Sequence, residues 1–411
     1  MGYELDGDAE RRLAEYFSAI GVALDNKCRR ASFATYAMGL LGSAERKSAE
    51  PIAATATADP ARCEPAHHRL LRFLRDSPWS DRAVRRIAAH YAIAAMTTEE
   101  PLRTWIVDDT GFLKQGSHSV GVQRQYTGTA GKITNCQVAV SLSVATRSVH
   151  VPIDFALYLP ESWTSDVARR EECKIPDDVV FKTKHDLALD LIVRAMDDEI
   201  AGDIMLADSA YGSSHNFRDT VRVLGFDYAM GISSTTTMWR LDAQDRCRGA
   251  PRSAQTLAHE LGAKAFRAIT WREGTLPGPR GKLRSRFAFC RVKVAHDDGS
   301  DPTSREPLWL IAEWPHGEKA PSKFALTTLR RSMSKKQIVR IFKERYRTEN
   351  VYAEMKGELG LDHFEGRSFP GWNHHVSVAL CCYAFVLGER LRHFPPAARR
   401  RSHPRSVPLA A

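Results

Sequence analysis

Ile204-Met205-Leu206-Ala207-Asp208 decides how this chain folds. The run is short and apolar, and it reads as a buried strand ending on an acid. Residues 187–198 just before it carry helical spacing. Helix and strand alternate here, which predicts an α/β core. Upstream, Trp105-Ile106-Val107-Asp108-Asp109-Thr110 repeats the form: an apolar run that ends on an aspartate. A strand end is a rigid place from which to aim a carboxylate, and aspartate is a hard oxygen ligand for a divalent cation. The same strings also suit ordinary turns and N-caps.

A third acid lies far downstream in a basic helical stretch, Arg345-Tyr346-Arg347-Thr348-Glu349, with Lys356 two turns on. Helical positions four and seven apart share a face. Phe342, Arg345, Glu349, Tyr352 and Lys356 are therefore expected to form one stripe, with Glu354 and Glu358 pointing away. An exposed i, i+4 ion-pair pattern gives the same spacing. Two strand-end carboxylates and one helical carboxylate can converge on a pair of metal ions that drive in-line attack on a phosphodiester.

Working outward, residues 9–98 read as helical. Leu13, Phe17, Ile20 and Val22 recur at helical spacing, as do Leu70, Leu71, Phe73 and Leu74. Ser77-Pro78-Trp79-Ser80-Asp81 breaks the pattern and caps a further helix. The arginines of this stretch (Arg29, Arg30, Arg69, Arg72, Arg75, Arg82, Arg85 and Arg86) suit a solvated face or DNA contact. No helix-turn-helix pattern is legible. Residues 104–107, 137–144 and 149–159 read as strands. Between residues 230 and 330 strand patterning returns, at 288–295, 308–314 and 324–329. The basic loop Pro277-Gly278-Pro279-Arg280-Gly281-Lys282-Leu283-Arg284-Ser285-Arg286 could track a phosphate backbone. Residues 335–360 and 376–391 read as helices, and the Pro/Arg-rich end as disordered.

Composition narrows the partners. The 411 residues carry 59 Lys plus Arg against 49 Asp plus Glu, a net charge of +10. That balance suits a polyanion. Eight cysteines show no C-x-x-C pair, so no zinc site is legible and free thiols in a reducing, cytoplasmic setting are expected. No apolar run approaches membrane-spanning length. His374-His375 could ligate metal, but other ligand spacing is missing. Tyr126 near Arg124 lacks the Arg/His constellation of a tyrosine recombinase. Trp239 could stack on an unpaired base or simply pack.

Several strings are similar to the DDE transposases of bacterial insertion sequences. They are Asp108-Asp109-Thr110-Gly111-Phe112-Leu113-Lys114-Gln115-Gly116, Ser119-Val120-Gly121-Val122-Gln123-Arg124-Gln125-Tyr126, Asn135-Cys136-Gln137-Val138-Ala139-Val140-Ser141, Leu157-Tyr158-Leu159-Pro160-Glu161-Ser162-Trp163 and Gly357-Glu358-Leu359-Gly360-Leu361-Asp362-His363-Phe364-Glu365-Gly366-Arg367. The resemblance runs from about Tyr36 to Leu391 and points to the IS4-like superfamily, within it to the insertion-sequence family numbered 701. It implies an RNase H-like α/β core with a mixed sheet, a β-rich insertion before the last catalytic helix, and an N-terminal helical domain. The expected bounds are 1–98 for the helical, DNA-binding domain, 99–229 for the first part of the core, and 230–332 for the insertion. The C-terminal core helices would take 333–393 and the basic tail 394–411.

The resemblance further implies metal-dependent DNA cleavage and strand transfer in cut-and-paste transposition. Asp108, Asp208 and Glu349 would be the catalytic, metal-binding triad, with Asp109 and Glu354 in reserve. Two Mg²⁺ ions are implied, with Mn²⁺ able to substitute. Arg345, Lys356 and Trp239 are the candidate DNA contacts. Partners would be the element's terminal inverted repeats, target DNA and a second copy in a synaptic complex, in a nucleoid-associated protein. The superfamily's helix pattern is Tyr, two residues, Arg, three residues, Glu, six residues, Lys. Arg345, Glu349 and Lys356 fit it, whereas Phe342 stands at the tyrosine position. The string Tyr346-Arg347-Thr348-Glu349 also departs from the usual Trp-Arg-Ile-Glu. The competing readings are a catalytically silent, transposase-derived DNA-binding or regulatory protein, and a nuclease of the same core acting on branched or hybrid substrates.

Overall fold

The helical periodicity before residue 98 resolves into α1 (Gly7–Ala23), α2 (Lys27–Leu41), α3 (Ala49–Thr55), α4 (Cys63–Arg75) and α5 (Asp81–Met96). Ser80 caps α5 as its string predicts, its side chain accepting from the Ala83 N–H. The structure, a computed structural model, describes residues 7–98, 100–273, 282–295 and 305–394. Residues 277–281 of the predicted basic loop and the predicted tail beyond residue 394 lie outside that description, while residues 282–286 of that loop belong to a strand.

After α5 the chain builds the first half of a sheet from β1 (Thr104–Leu113), β2 (Gln123–Thr127), β3 (Lys132–Ala145) and β4 (His150–Leu157). Short helices α6 (Glu161–Thr164) and α7 (Val167–Glu172) lead to α8 (Lys184–Asp197), which opens with a capping box between Thr183 and Asp186. β5 (Ile204–Ala207) follows with all four residues buried, as the opening string predicts. The one-turn α9 (Ser209–Gly212), α10 (His215–Val223) and β6 (Asp227–Ile232) complete this half. β1–β5 and β5–β6 are parallel, while β1–β3 and β3–β4 are antiparallel.

The segment from residue 237 to 327 holds β7 (Thr237–Leu241), β8 (Cys247–Ser253), α11 (Ala254–Leu261), β9 (Arg267–Glu273), β10 (Lys282–Val294), β11 (Leu308–Trp314) and β12 (Lys323–Thr327). These strands extend the core sheet. Among the described residues twelve strands form one sheet, ordered β2-β3-β1-β5-β6-β12-β11-β10-β7-β8, with β4 on β3 and β9 on β10. The join is the antiparallel pairing of β12 with β6, Phe324 opposite Ile232 through Thr327 opposite Ala229.

The chain closes with α12 (Lys335–Lys343), α13 (Tyr346–Leu359) and α14 (Phe369–His393). α14 is buried around most of its girth, and α1, α2, α4 and α5 pack on it in one core shared with the sheet, with α3 held by α2 and α4. Arg85 ties the three parts together. Its guanidinium donates to Ser377 Oγ on α14 (2.8 Å), Asp154 Oδ1 on β4 (2.7 Å) and the Phe155 carbonyl (2.6 Å). Arg82 and Arg86 pair with Asp197 and Asp198 at the end of α8. Part of the arginine-rich N-terminal stretch thus holds the molecule together, while Arg69, Arg72 and Arg75 on α4 face solvent.

Two expectations change. Asp108 is not at a strand end, because β1 continues to Leu113. The apolar run stops where β5 stops pairing, at Ile106 opposite Leu206, while β3 accompanies β1 for its full length. Polarity marks the loss of one neighbour, not the end of the strand. Residues 335–360 are also not one α-helix. Glu344 and Arg345 keep right-handed helical dihedrals, but the bonds there tighten to i→i+3: Glu344 N–H to Ile341 O, Arg347 N–H to Glu344 O and Thr348 N–H to Arg345 O.

Candidate active site

Beyond Ile106, β1 has β3 on one side and no β5 on the other, and α13 lies along it. Three side chains of the α13 face meet β1 and β3 in order. Arg345 Nη1 donates to Asp108 Oδ2 at 2.8 Å. The Tyr352 hydroxyl bonds the Ser141 hydroxyl, and Ser141 sits opposite Asp108 in the ladder. Lys356 Nζ donates to the Gly111 carbonyl at 2.7 Å and to Thr129 Oγ1 at 3.3 Å. The expected stripe is therefore real from Arg345 to Lys356. Phe342 is not on it; it belongs to α12 and packs into a separate apolar cluster around Ile338, Val339 and Phe287.

Asp208 follows β5 and caps α9, its Oδ1 accepting from the N–H groups of Ala210 (2.8 Å) and Tyr211 (3.3 Å). Two glycines seat this turn. A Cβ on Gly231 of β6 would lie 2.9 Å from Ser209 N and 3.1 Å from the Asp208 carbonyl carbon, and one on Gly212 would lie 2.1 Å from the Gly231 oxygen. Only bare backbone lets the turn press on β6 so closely.

Arg345 touches two of the three acids, Asp108 and Glu349, and Asp208 acts on it through its charge. Its second terminal nitrogen lies 3.9 Å from Glu349 Oε1. Burial opposes its charge, but Asp108, Asp208 and Glu349 together hold the guanidinium above its ordinary pKa. The Asp108 side chain is 10% exposed, that of Arg345 27% and that of Glu349 70%, so the cluster runs from the interior to solvent. Burial pushes the Asp108 carboxyl up to about 7, with Arg345 pulling it down and Asp208 adding to the rise.

The other candidates fall elsewhere. Asp109 has its own cation, Lys184 at the start of α8, 2.7 Å from Oδ2. Glu354 is engaged by Tyr383 and Arg390 on α14, away from β1. Lys356 is no free phosphate grip: burial lowers its pKa and a carbonyl holds its ammonium. Trp239 is half-buried on β7, six strand positions from β1, roughly 29 Å at ~4.8 Å per strand. His374 bonds the carbonyls of Leu74 and Trp79 and stacks on Trp79, and His375 bonds Tyr36 and the Leu361 carbonyl. Both histidines serve the core.

Tyr211 was not singled out from the sequence. It is buried against Phe217 and His185, and its hydroxyl has no hydrogen-bond partner among the described residues. Burial, then the charges of Asp109, Asp108 and Asp208, hold its pKa well above the ordinary value, so it stays a donor. The string Asp208-Ser209-Ala210-Tyr211 placed it one turn from the aspartate, which was the available signal.

Among the described residues no three His, Cys, Asp or Glu side chains are close enough together to hold a metal ion. The donors are nonetheless of the right kind. Carboxylate oxygens suit a hard divalent cation, and a buried carboxyl raised to about 7 beside a second aspartate is one that a cation would stabilise. What the grouping lacks is room, since Arg345 already holds Asp108 Oδ2.

Comparison with known proteins gives the family. The profile of the family described as DDE superfamily endonuclease matches residues 18–278, well over half of the chain, and that of the transposase DDE domain matches residues 181–385. The chain belongs to the DDE superfamily of endonucleases. A relative from Microchaete diplosiphon, named a probable transposase for insertion sequence element IS701, is 28% identical over 253 residues. That match covers 60% of this chain and 59% of the relative, less than two thirds of its length. The resemblance carried by the sequence strings is thereby borne out. Among the described residues no helix is long and apolar enough to cross a membrane.

Proposed function

We propose that this chain is a transposase that cuts and rejoins the DNA of an insertion sequence, with Asp108, Asp208 and Glu349 as its metal-binding triad. One observation carries the reading: a strand aspartate and a carboxylate on a distant helix both contact the single guanidinium of Arg345, and the charge of Asp208, on the neighbouring turn, acts on it too. An i, i+4 pair accounts for Arg345 with Glu349, but not for the buried Asp108 bonded to the same guanidinium at the place where β1 loses a neighbour.

The triad would hold two divalent ions, Mg²⁺ or Mn²⁺. Such a pair, when bound, activates the attacking oxygen and stabilises the leaving one. The chain's own residues do the rest. Ser141 and Tyr352 fix the α13 face against β3. Lys356 binds the Gly111 carbonyl and keeps β1 and α13 in register. Arg345 offers a planar pair of donors suited to a phosphate. The order β4-β3-β1-β5-β6, antiparallel then parallel, supports an RNase H-like core. On this reading β7–β12 are an insertion grown onto the edge of that core. A homodimer would hold the two element ends together, and the net charge of +10 suits the DNA partner.

The test is a strand-transfer assay on DNA carrying the element's own ends, with Mg²⁺, for the wild type, Asp108→Asn, Asp208→Asn and Glu349→Gln. The reading requires activity in the wild type and its loss in all three variants while end binding persists. A wild type that binds the ends without cutting them would favour the silent regulatory protein.

A further inference from the structure

We propose that Arg345 and a divalent cation compete for the same carboxylate oxygens, so that the guanidinium gates metal loading and leaves Asp108 for a DNA phosphate. This rests on the reading of Asp108, Asp208 and Glu349 as metal ligands.

Three observations carry it. Arg345 Nη1 lies 2.8 Å from Oδ2 of Asp108, the most buried of the three acids, and Nη2 faces Glu349. A metal ion bound by that oxygen and the guanidinium cannot both occupy this contact distance. Second, Arg345 sits at the tightened i→i+3 joint between α12 and α13. A short 3₁₀ stretch between two helical segments is a common hinge. Third, the joint is poorly satisfied. Arg340 Nε, Tyr346 Oη and Arg347 Nη1, on both sides of it, are buried without a hydrogen-bond partner among the described residues. Buried polar groups left this way cost free energy, which favours any arrangement of the joint that pairs them.

The destination of the guanidinium follows from its chemistry. An arginine leaving a carboxylate takes another planar or tetrahedral anion, and phosphate accepts it bidentately. DNA binding and metal loading then support each other, because a phosphate that draws Arg345 away exposes Asp108. Such coupling is reciprocal by linkage.

The experiment titrates chelator-stripped full-length protein with Mn²⁺ alone and follows free Mn²⁺ by electron paramagnetic resonance. Wild type, Arg345→Gln, Arg345→Lys, Asp108→Asn and the Asp108→Asn/Arg345→Gln double variant are compared, each checked for folding by thermal melting. Removing the competitor should tighten Mn²⁺ binding by about tenfold, within the range typical of coupled sites. Arg345→Lys keeps the charge but loses the fork, and should fall between wild type and Arg345→Gln. Asp108→Asn should abolish the tight site in both backgrounds. If Asp108→Asn removes Mn²⁺ binding but both Arg345 variants bind as the wild type does or more weakly, the competition is wrong and the metal reading stands. If Asp108→Asn binds like the wild type, the metal reading itself fails, and the competition with it.

Discussion

Asp108 and Lys356 show how far single residues depart from what their spacing suggests. Both were legible as members of a charged constellation, yet Lys356 spends its ammonium on a backbone carbonyl. Replacing it with Met removes a charge-assisted hydrogen bond and the ammonium that sits over the Phe112 ring. Thermal or urea unfolding should show a loss of about 1.5–3 kcal/mol. A stable variant defective only in DNA binding would instead restore the phosphate role. Histidines give the pH dependence. Burial lowers the His375 pKa from 6.5 to about 4 and that of His150 to about 3. The unfolded chain takes up these protons first, so their stabilisation is complete above pH 6.5 and is lost as pH falls. For His375 the loss reaches roughly 3 kcal/mol by pH 4. His375→Gln should therefore be less stable than the wild type near pH 7.5 and close the gap by pH 4.5 in urea unfolding. Asp108 and Glu344, both raised to about 7 by burial, contribute with the opposite sign, equally in both proteins. A gap independent of pH would mean that His375 does not stay neutral in the fold.

At the scale of elements, β5 and β11 match the strands read from the sequence, because both are short, apolar and fully paired. β1 was read too short. Its second half, Asp109-Thr110-Gly111-Phe112-Leu113, loses its parallel neighbour, and the apolar signal fades with it. The junction at Glu344–Arg345 was invisible, since both residues keep helical dihedrals and the sequence shows no Gly or Pro. Nor could spacing reveal that the α9 turn rests on bare backbone at Gly231. That contact yields a prediction. Gly231→Ala forces the Asp208 turn away from β6, with only backbone to yield. DNA cleavage should fall by a hundredfold or more, in line with the cost of ångström-scale misplacement of a reacting group, while end binding by gel shift stays near wild type. Full activity of Gly231→Ala would mean that the position of Asp208 is not critical.

Over the whole molecule, the sequence divides into helical and α/β stretches, but the fold joins them. Ladder pairing between β6 and β12 makes one sheet of the core and the strands after it, a non-local contact that periodicity does not encode. Arg85 likewise looked like one of eight surface arginines, and its partners Asp154 and Ser377 lie far away in the sequence. Arg85→Met should therefore lower global stability by about 3 kcal/mol, the lower end for breaking a buried pair, because Arg194 stays 3.7 Å from Asp154. Arg72→Met on the exposed face of α4 should cost less than 0.5 kcal/mol, roughly the surface norm. Equal effects in parallel melts would contradict this account of the interface between α5, β4 and α14. The central claim concerns the triad, and anomalous diffraction from crystals soaked in Mn²⁺ tests it most directly. The account predicts Mn²⁺ peaks touching Asp108 and Asp208, a pair of ions roughly 3.5–4 Å apart when Glu349 closes the site, and Arg345 withdrawn from Asp108 Oδ2. Mn²⁺ bound elsewhere, with the Arg345–Asp108 pair intact at saturating metal, would contradict it.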